Sequence, residues 1–373
     1  MRIAHFVGTI KKEDGVGLVL LDLINESVKK GDEVIIITGH VDEDFIVPVP
    51  VIKTTSLSFP LYKEYKIPLP GIKGFEKALL DFKPDILHVH SPETSAWAAL
   101  RFAKKYKVPI AATYHTNFGR YLNYFHLSSL KPILWKYLSN LYNKMDVVTT
   151  PSYGATNELA ERNIKNVKTI AWGVDTEKFS AAFRSEAWRH TILKENQKTI
   201  LLYVGRLVWY KDIKTLADTY AMLKKNRTDF ALVIVGEGPA KEALRKLLPT
   251  ALFLGHKQGA ELSTIYASSD IFLFPSSTEV FERVSLEAVA SNLVTIVADT
   301  PAHIITHEKF GFGILAKTKD PASFYEKTSF LLDNPNACIE LKSHYSKNIT
   351  HFTWPEISTE FTKLYSKISI KKE

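Results

Sequence analysis

The chain has 373 residues, 45% hydrophobic and 24% charged, with a single cysteine, Cys338. That balance excludes a disordered, collagen-like or disulfide-stapled chain and suits a globular protein of two ordinary domains with room for a large core. The net charge of +8 is concentrated: residues 61–145 hold 13 Lys and Arg against 5 Asp and Glu. Such a field attracts phosphorylated substrates, an anionic membrane surface or nucleic acid, or is simply a solvated basic surface.

Met1-Arg2 runs straight into a strand-like segment, so no signal peptide is expected. No apolar run is long enough to span a bilayer. With one cysteine, the expected setting is a reducing, cytoplasmic compartment.

Along the chain, strand and helix patterns alternate almost throughout, which predicts an α/β fold with parallel sheets. Strands are expected over 2–7, 33–38, 85–90, 108–113, 146–149 and 167–172. Periodicity is lost over Gly173–Ser180, which reads as a linker. A second series follows, with strands over 199–204, 231–235, 252–254, 271–274 and 294–297. Helices are expected over 211–225, 239–247, 259–269, 283–291, 320–332 and 356–368, the last with Ile357, Phe361, Leu364, Tyr365 and Ile368 at helical spacing. Two such series predict two Rossmann-like domains facing a central cleft, with ligands outside the carboxyl ends of the strands. The expected domains are 1–175, with the C-terminal helix 354–370 packing back onto it, and 190–350.

Several segments carry side chains suited to chemistry. Gly15-Val16-Gly17 follows the first strand and opens a helix, a turn that lets a phosphate or sugar approach. Its spacing is not the dinucleotide fingerprint, which disfavours a nicotinamide cofactor. Asp42-Glu43-Asp44 sits in a polar loop and reads as a solvated acidic turn. His88 and His90 alternate on one strand. With no third ligand adjacent, they read as structural histidines rather than a metal site. His115 ends another strand, where it can meet a ligand hydroxyl. The stretch Tyr121–Tyr142, with Tyr124, Phe125, Trp135, Tyr137, Lys131 and Lys136, suits either an interfacial membrane helix or a helix packed on a sheet.

In the second series, Gly205-Arg206-Leu207 ends a strand and Lys211 opens the next helix. Arg206 offers a fork and Lys211 a point charge to a diphosphate. Gly236-Glu237-Gly238 reads as strand-to-helix punctuation that also leaves room for a nucleotide base. The strongest signal is Pro275–Ala290, where Glu279 and Glu287 stand with seven residues between them across a strand-to-helix turn. Two carboxylates there can accept hydrogen bonds from sugar-nucleotide hydroxyls, while the free N–H groups of the helix start meet its phosphates. Glu287 lies among Val284, Leu286, Ala288 and Val289, where an unpartnered carboxylate is costly.

Together the Gly-Arg-Leu…Lys run at 205–211, the Gly-Val-Asp…Phe linker and the Glu-x7-Glu motif resemble the retaining glycosyltransferases of family 4, with the GT-B fold. Pro84–Pro92 and Thr113-Tyr114-His115-Thr116 look like the branch holding GDP-mannose-dependent α-mannosyltransferases and sulfoquinovosyl- and glucosyl-diacylglycerol synthases. Phe352-Thr353-Trp354 and the final helix are similar to the family's last helix, which crosses back onto the first domain.

The resemblance implies a retaining hexosyl transfer from a nucleotide sugar, GDP-mannose or a UDP-sugar, to a lipid or glycan acceptor. It implies no essential metal and no other cofactor. Arg206 and Lys211 would bind the diphosphate, Glu279 the donor sugar and Glu287 the ribose, with Gly205, Phe281 and Val284 lining the donor site. Gly15 and Gly17 would lie near the donor phosphate or the acceptor, and His115 near the transferred sugar. A peripheral attachment to the inner face of an anionic membrane is expected, and nucleic acid is not an expected partner.

Three departures from the family pattern stand out: Glu282 after Phe281, Ser291-Asn292-Leu293-Val294 in place of a glycine-and-proline turn, and Thr300-Pro301-Ala302-His303 in place of a glycine pair. They motivate an alternative in which the protein binds sugar nucleotides without transferring them and acts as a partner subunit.

Overall fold

The computed structural model describes residues 1–11, 15–43, 45–59, 62–69, 73–116, 119, 122, 127–279, 281 and 283–370. Glu282, Asp44, Tyr121, Tyr124 and Phe125 lie outside the described residues. The chain divides into two compact units, one of 1–173 together with the C-terminal helix and one of 174–353.

In the first unit the strands are β1 (Arg2–Ile10), β2 (Glu33–Val41), β3 (Val51–Lys53), β4 (Ser56–Phe59), β5 (Tyr62–Pro68), β6 (Ile86–Val89), β7 (Ile110–Thr113), β8 (Val147–Thr150) and β9 (Val167–Thr169). Seven of them form one parallel sheet in the order β3-β2-β1-β6-β7-β8-β9, and β4 pairs antiparallel with β5. β1, β6, β7 and β8 are buried almost end to end. Helices on both faces explain why these strands read as continuous apolar runs rather than alternating ones.

The final helix, Trp354–Ile370, belongs to this unit and packs against the helix Gly15–Lys29. It buries Trp354, Ile357, Phe361, Leu364, Tyr365 and Ile368. Six large side chains at about 1.5–3 kcal/mol each give roughly 10 kcal/mol or more of gross burial, before the entropy of ordering the helix. Lys30 fixes its start, with Nζ donating to Pro355 O at 3.3 Å, Ser358 Oγ at 3.1 Å and Thr359 Oγ1 at 2.8 Å.

The second unit holds β10 (Thr199–Val204), β11 (Phe230–Val235), β12 (Leu252–Gly255), β13 (Ile271–Phe274), β14 (Val294–Ala298) and β15 (Ile314–Ala316). Their parallel order is β12-β11-β10-β13-β14-β15. The chain runs outward from β10 to β12, returns to β13 beside β10, and then runs the other way. This is the doubly wound order, and its reversal opens a crevice outside the carboxyl ends of β10 and β13. In the first unit the same reversal falls between β1 and β6. No described helix is long and apolar enough to cross a membrane.

Candidate active site

The reversal point of the second unit brings together the loops that follow β10 and β13. After Val204 the chain passes Gly205, whose N–H donates to Val235 O at 3.0 Å. Leu207 N–H donates to Glu237 O at 2.9 Å, and Ala240 N–H to Leu207 O at 3.0 Å. The two loops therefore pack backbone on backbone. A Cβ at Gly236, where φ is +136°, would stand 2.0 Å from Gly205 O. Gly236-Glu237-Gly238 is thus more than punctuation, because it sets the path of the Gly205–Leu207 loop.

Arg206 on that loop is exposed, and its guanidinium forms no ion pair among the described residues. Lys211 does not open the α-helix as expected. It closes a one-turn 3-10 helix, Trp209–Lys211, and the α-helix Ile213–Asn226 begins after Asp212, which takes the left-handed φ of +53°. The Asp212 carboxylate accepts hydrogen bonds from the backbone N–H of Ser277, at 2.9 Å, and from the Ser277 hydroxyl. This staple joins the β10 and β13 loops. It holds Lys211 against Glu279, with Nζ–Oε1 at 2.8 Å. The Ser276 hydroxyl donates to the same Glu279 oxygen at 3.0 Å, and Lys211 Nζ lies 5.9 Å from the centre of the Phe274 ring. Lys211 and Glu279 are each about one-fifth exposed, at 19% and 21%. An ammonium has three donors, so Lys211 can hold Glu279 and still offer N–H to a phosphate oxygen.

Glu287 sits on the helix Arg283–Ala290 and is buried. The chain itself supplies partners for it: Arg283 Nε donates to Oε1 at 3.1 Å and Tyr266 OH to Oε2 at 3.1 Å. Its burial therefore needs no ligand, although a carboxylate has lone pairs left for further donors. Val284 lies one turn earlier, and its carbonyl accepts from Tyr266 OH at 3.4 Å. Phe281 lines a small cavity with Ser285, Leu286, Ala302, His303 and Phe312. Two of the three departures are described, and both are accommodated. Asn292 takes the left-handed φ of +66° that a glycine usually supplies. His303 is buried on the helix Pro301–Phe310, with Nδ1 hydrogen-bonded to Ala298 O and to Thr300 Oγ1 at 3.0 Å.

In the first unit, Gly15 opens the helix Gly15–Lys29, and a Cβ added there would meet no atom of the described residues within 4 Å. Gly17 is buried, and a Cβ there would meet Lys11 O at 3.2 Å and Ile10 Cγ2 at 3.3 Å, so this glycine lets the helix start close to the end of β1. Asp42 Oδ1 is bonded to His40 Nε2 at 3.1 Å. Trp135, Leu138, Leu141 and Tyr142 pack the helix Lys131–Tyr142 into the unit, while Leu130, Ile133 and Tyr137 stay exposed.

His88 and His90 do not stand alone, which corrects the expectation that no third histidine lies beside them. β1 pairs with β6 so that His5 stands opposite His88, and His115 follows β7 on the other side. His5 Nδ1 lies 2.9 Å from His90 Nε2, and His90 Nδ1 lies 2.8 Å from His115 Nε2. His88 bonds to Thr113 Oγ1 and to Tyr365 OH, both at 2.7 Å. Ligand atoms of His5, His88 and His90 lie within 4.8 Å of one another. Both nitrogens of His88 and both of His90 are already engaged in hydrogen bonds, so the cluster is built as a hydrogen-bond network rather than as a metal-ligand set. Burial holds His5 and His115 down to about 3, and His88 and His90 well below the usual imidazole range, so the rings are neutral. Glu93, on the loop after β6, is pushed up to about 8 by burial. His5 escapes sequence reading because its role depends on cross-strand register, and Asp212 and Glu93 because theirs depend on how loops pack. The alternation of His5 with flanking apolar residues is the only sequence hint.

Comparison with known proteins agrees with this geometry. The profile of Glycosyltransferase Family 4 matches residues 14–178, and that of Glycosyl transferases group 1 matches residues 184–352. A GDP-mannose-dependent alpha-mannosyltransferase of Corynebacterium glutamicum is 29% identical over 337 residues, covering 88% of this chain and 77% of that protein. Its namesake from Mycolicibacterium smegmatis is 31% identical over 294 residues, covering 77% and 76%. Among solved structures, sucrose-phosphate synthase from Thermosynechococcus elongatus superposes with a TM-score of 0.80 at 19% identity, covering 100% of both chains. The two Rossmann-like units are those of the GT-B fold. The chain belongs to glycosyltransferase family 4.

Proposed function

We propose that this glycosyltransferase moves a hexose, with retention of configuration, from a nucleotide sugar to a hydroxyl of a lipid or glycan acceptor. The observation that carries the reading is the Lys211–Glu279 pair at 2.8 Å, stapled by Asp212 and Ser277 at the reversal point of the second sheet, beside the exposed Arg206. Cations at the carboxyl ends of β10 and β13 stand where a doubly wound sheet takes its ligand. As the sugar departs, negative charge grows on the nucleoside diphosphate. Arg206, Lys211 and the N–H groups at the start of Arg283–Ala290 would stabilise it most in the transition state.

Glu279 would then exchange part of its contact with Lys211 for a sugar hydroxyl, and Glu287 would accept from the ribose while keeping Arg283 and Tyr266. Gly205, Phe281 and Val284 would line the donor. Gly15 and Gly17 would border the acceptor side, and His115 would face the transferred sugar. GDP-mannose is the first donor to test, because both mannosyltransferase relatives take it by name. The basic first unit, with Leu130, Ile133 and Tyr137 exposed beside Lys131 and Lys136, suits a lipid acceptor at an anionic surface. Loss of transfer activity is the less favoured reading, because Asn292 and His303 fit the fold without strain on the site.

The experiment is donor turnover with GDP-mannose and UDP-glucose against a lipid extract. Arg206→Ala should lower kcat/KM by about a hundredfold or more, the scale of losing one charge-stabilising donor. Unchanged turnover in that variant would remove Arg206 from the reading.

A further inference from the structure

Four buried histidines lie under the reversal point of the first sheet, and three of them form a continuous line. His5, His90 and His115 are joined ring to ring by two hydrogen bonds, of 2.9 and 2.8 Å. The two end nitrogens, His5 Nε2 and His115 Nδ1, are buried with no hydrogen-bond partner among the described residues. His5 is fully buried in the middle of β1, while His115 stands at the carboxyl end of β7, its ring stacked on Trp172 at 5.5 Å. The fourth ring, His88, spends both nitrogens on Thr113 and Tyr365 and stays outside the line.

A neutral imidazole carries one N–H and one bare nitrogen. Two hydrogen bonds in series therefore allow two arrangements. If His5 Nδ1–H donates to His90 Nε2, then His90 Nδ1–H must donate to His115 Nε2, and His115 is left with Nδ1–H. If His115 Nε2–H donates instead, every ring carries its proton on Nε2, and an N–H is stranded on His5 in the core. A buried N–H without an acceptor is the rarer and costlier defect. Either arrangement leaves one end N–H without a partner among the described residues; the first puts it on His115, 7% exposed just past the carboxyl end of β7, rather than on His5, 0% exposed in mid-strand.

We propose that His5, His90 and His115 are a tautomer relay in which His5 and His90 act as positioning residues that hold His115 as the Nδ1–H form, making it a hydrogen-bond donor to the ligand. That the ligand is a sugar hydroxyl rests on the reading of His115 given above; the relay itself does not. The arrangement makes His115 unsuited to act as a base through Nδ1. It also gives two histidines that touch no ligand a direct influence on the site.

The test is long-range proton–nitrogen correlation spectroscopy on the full chain labelled with 15N-histidine, at pH 7. His5, His90 and His115 should all appear as neutral Nδ1–H tautomers. Any one of them found as Nε2–H, or as imidazolium, overturns the relay, and this holds without any variant. His90→Phe keeps an aromatic ring but cuts the line. His115 should then return to the Nε2–H form that free histidine prefers, and KM for the donor should rise about fivefold to tenfold with the loss of one neutral hydrogen bond. His115 still held as Nδ1–H in that variant overturns the positioning role. GDP-mannose should shift the His115 Nδ1–H resonance in the wild-type protein. If the three tautomers are as stated and no sugar nucleotide moves that resonance, the relay stands and the sugar-facing reading of His115 falls.

Discussion

Acidification should destabilise the first unit above the pH range in which ordinary carboxylates titrate. His5, His88, His90 and His115 are neutral in the fold because burial disfavours their charged form, with His5 and His115 held at about 3 against 6.5 for an unperturbed ring. Below pH 6.5 the unfolded chain binds protons that the native chain refuses. Stability is therefore full above that pH and drains as the pH falls toward the folded values. One full unit below 6.5, each ring costs about 1.4 kcal/mol, so four cost about 5–6 kcal/mol between pH 7.5 and 5.5.

Glu93 opposes this. Burial raises its folded value from 4.5 to about 8, so the native state gains a proton over the same interval that the unfolded chain does not. That returns about 2–3 kcal/mol and leaves a net loss of about 3 kcal/mol. For a unit of this size the loss corresponds to a fall in midpoint of roughly 6–12 °C. Thermal unfolding followed by circular dichroism at pH 7.5 and 5.5 measures it. Glu93→Gln removes the opposing group, so its loss between the two pH values should grow to about 5–6 kcal/mol. A midpoint that is equal or higher at pH 5.5 refutes the neutral-histidine account, and an unchanged acid loss in Glu93→Gln refutes the role given to that carboxyl.

Two further substitutions probe the second unit. Gly236→Ala puts a methyl 2.0 Å from Gly205 O at a φ of +136°, so it should cost about 3 kcal/mol or more in chemical denaturation and weaken donor binding together. Asp212→Ala removes the staple to Ser277 and should lower kcat/KM about a hundredfold with less than about 2 kcal/mol lost in stability, because Lys211 is misplaced rather than removed.

Much of the fold was legible in the residues. Runs such as Ile271–Phe274 and Thr199–Val204 read as buried parallel strands because both sheet faces are covered, and apolarity alone marks such strands. The small elements β3, β4 and β5 carry no clear period in their short, mixed segments, whereas the helix Lys73–Phe82 has Phe75, Leu79 and Phe82 at helical spacing. The helix Pro335–Asn348 buries only Tyr345, so no apolar stripe marks it in the sequence. At the site, residue types near Arg206, Lys211, Glu279 and Glu287 pointed to a sugar nucleotide. Their partners did not show. Asp212 acts through a left-handed backbone turn, Glu287 finds Tyr266 and Arg283 in space, and His5 meets His90 through strand register. Of these, only Arg283 stands at a readable spacing, four residues before Glu287 on one helix; the others have no counterpart in local spacing.

The central claim is that the reversal point of the second sheet binds a nucleoside diphosphate through Arg206 and Lys211. Calorimetric titration of the full chain with GDP and UDP, on wild type and on Lys211→Ala, tests it most directly. The account predicts that one of the two nucleotides binds the wild type and that the variant binds it at least about tenfold more weakly, the scale of a lost charge-assisted contact. Equal affinity in the two proteins, or no binding of either nucleotide to the wild type, would contradict it.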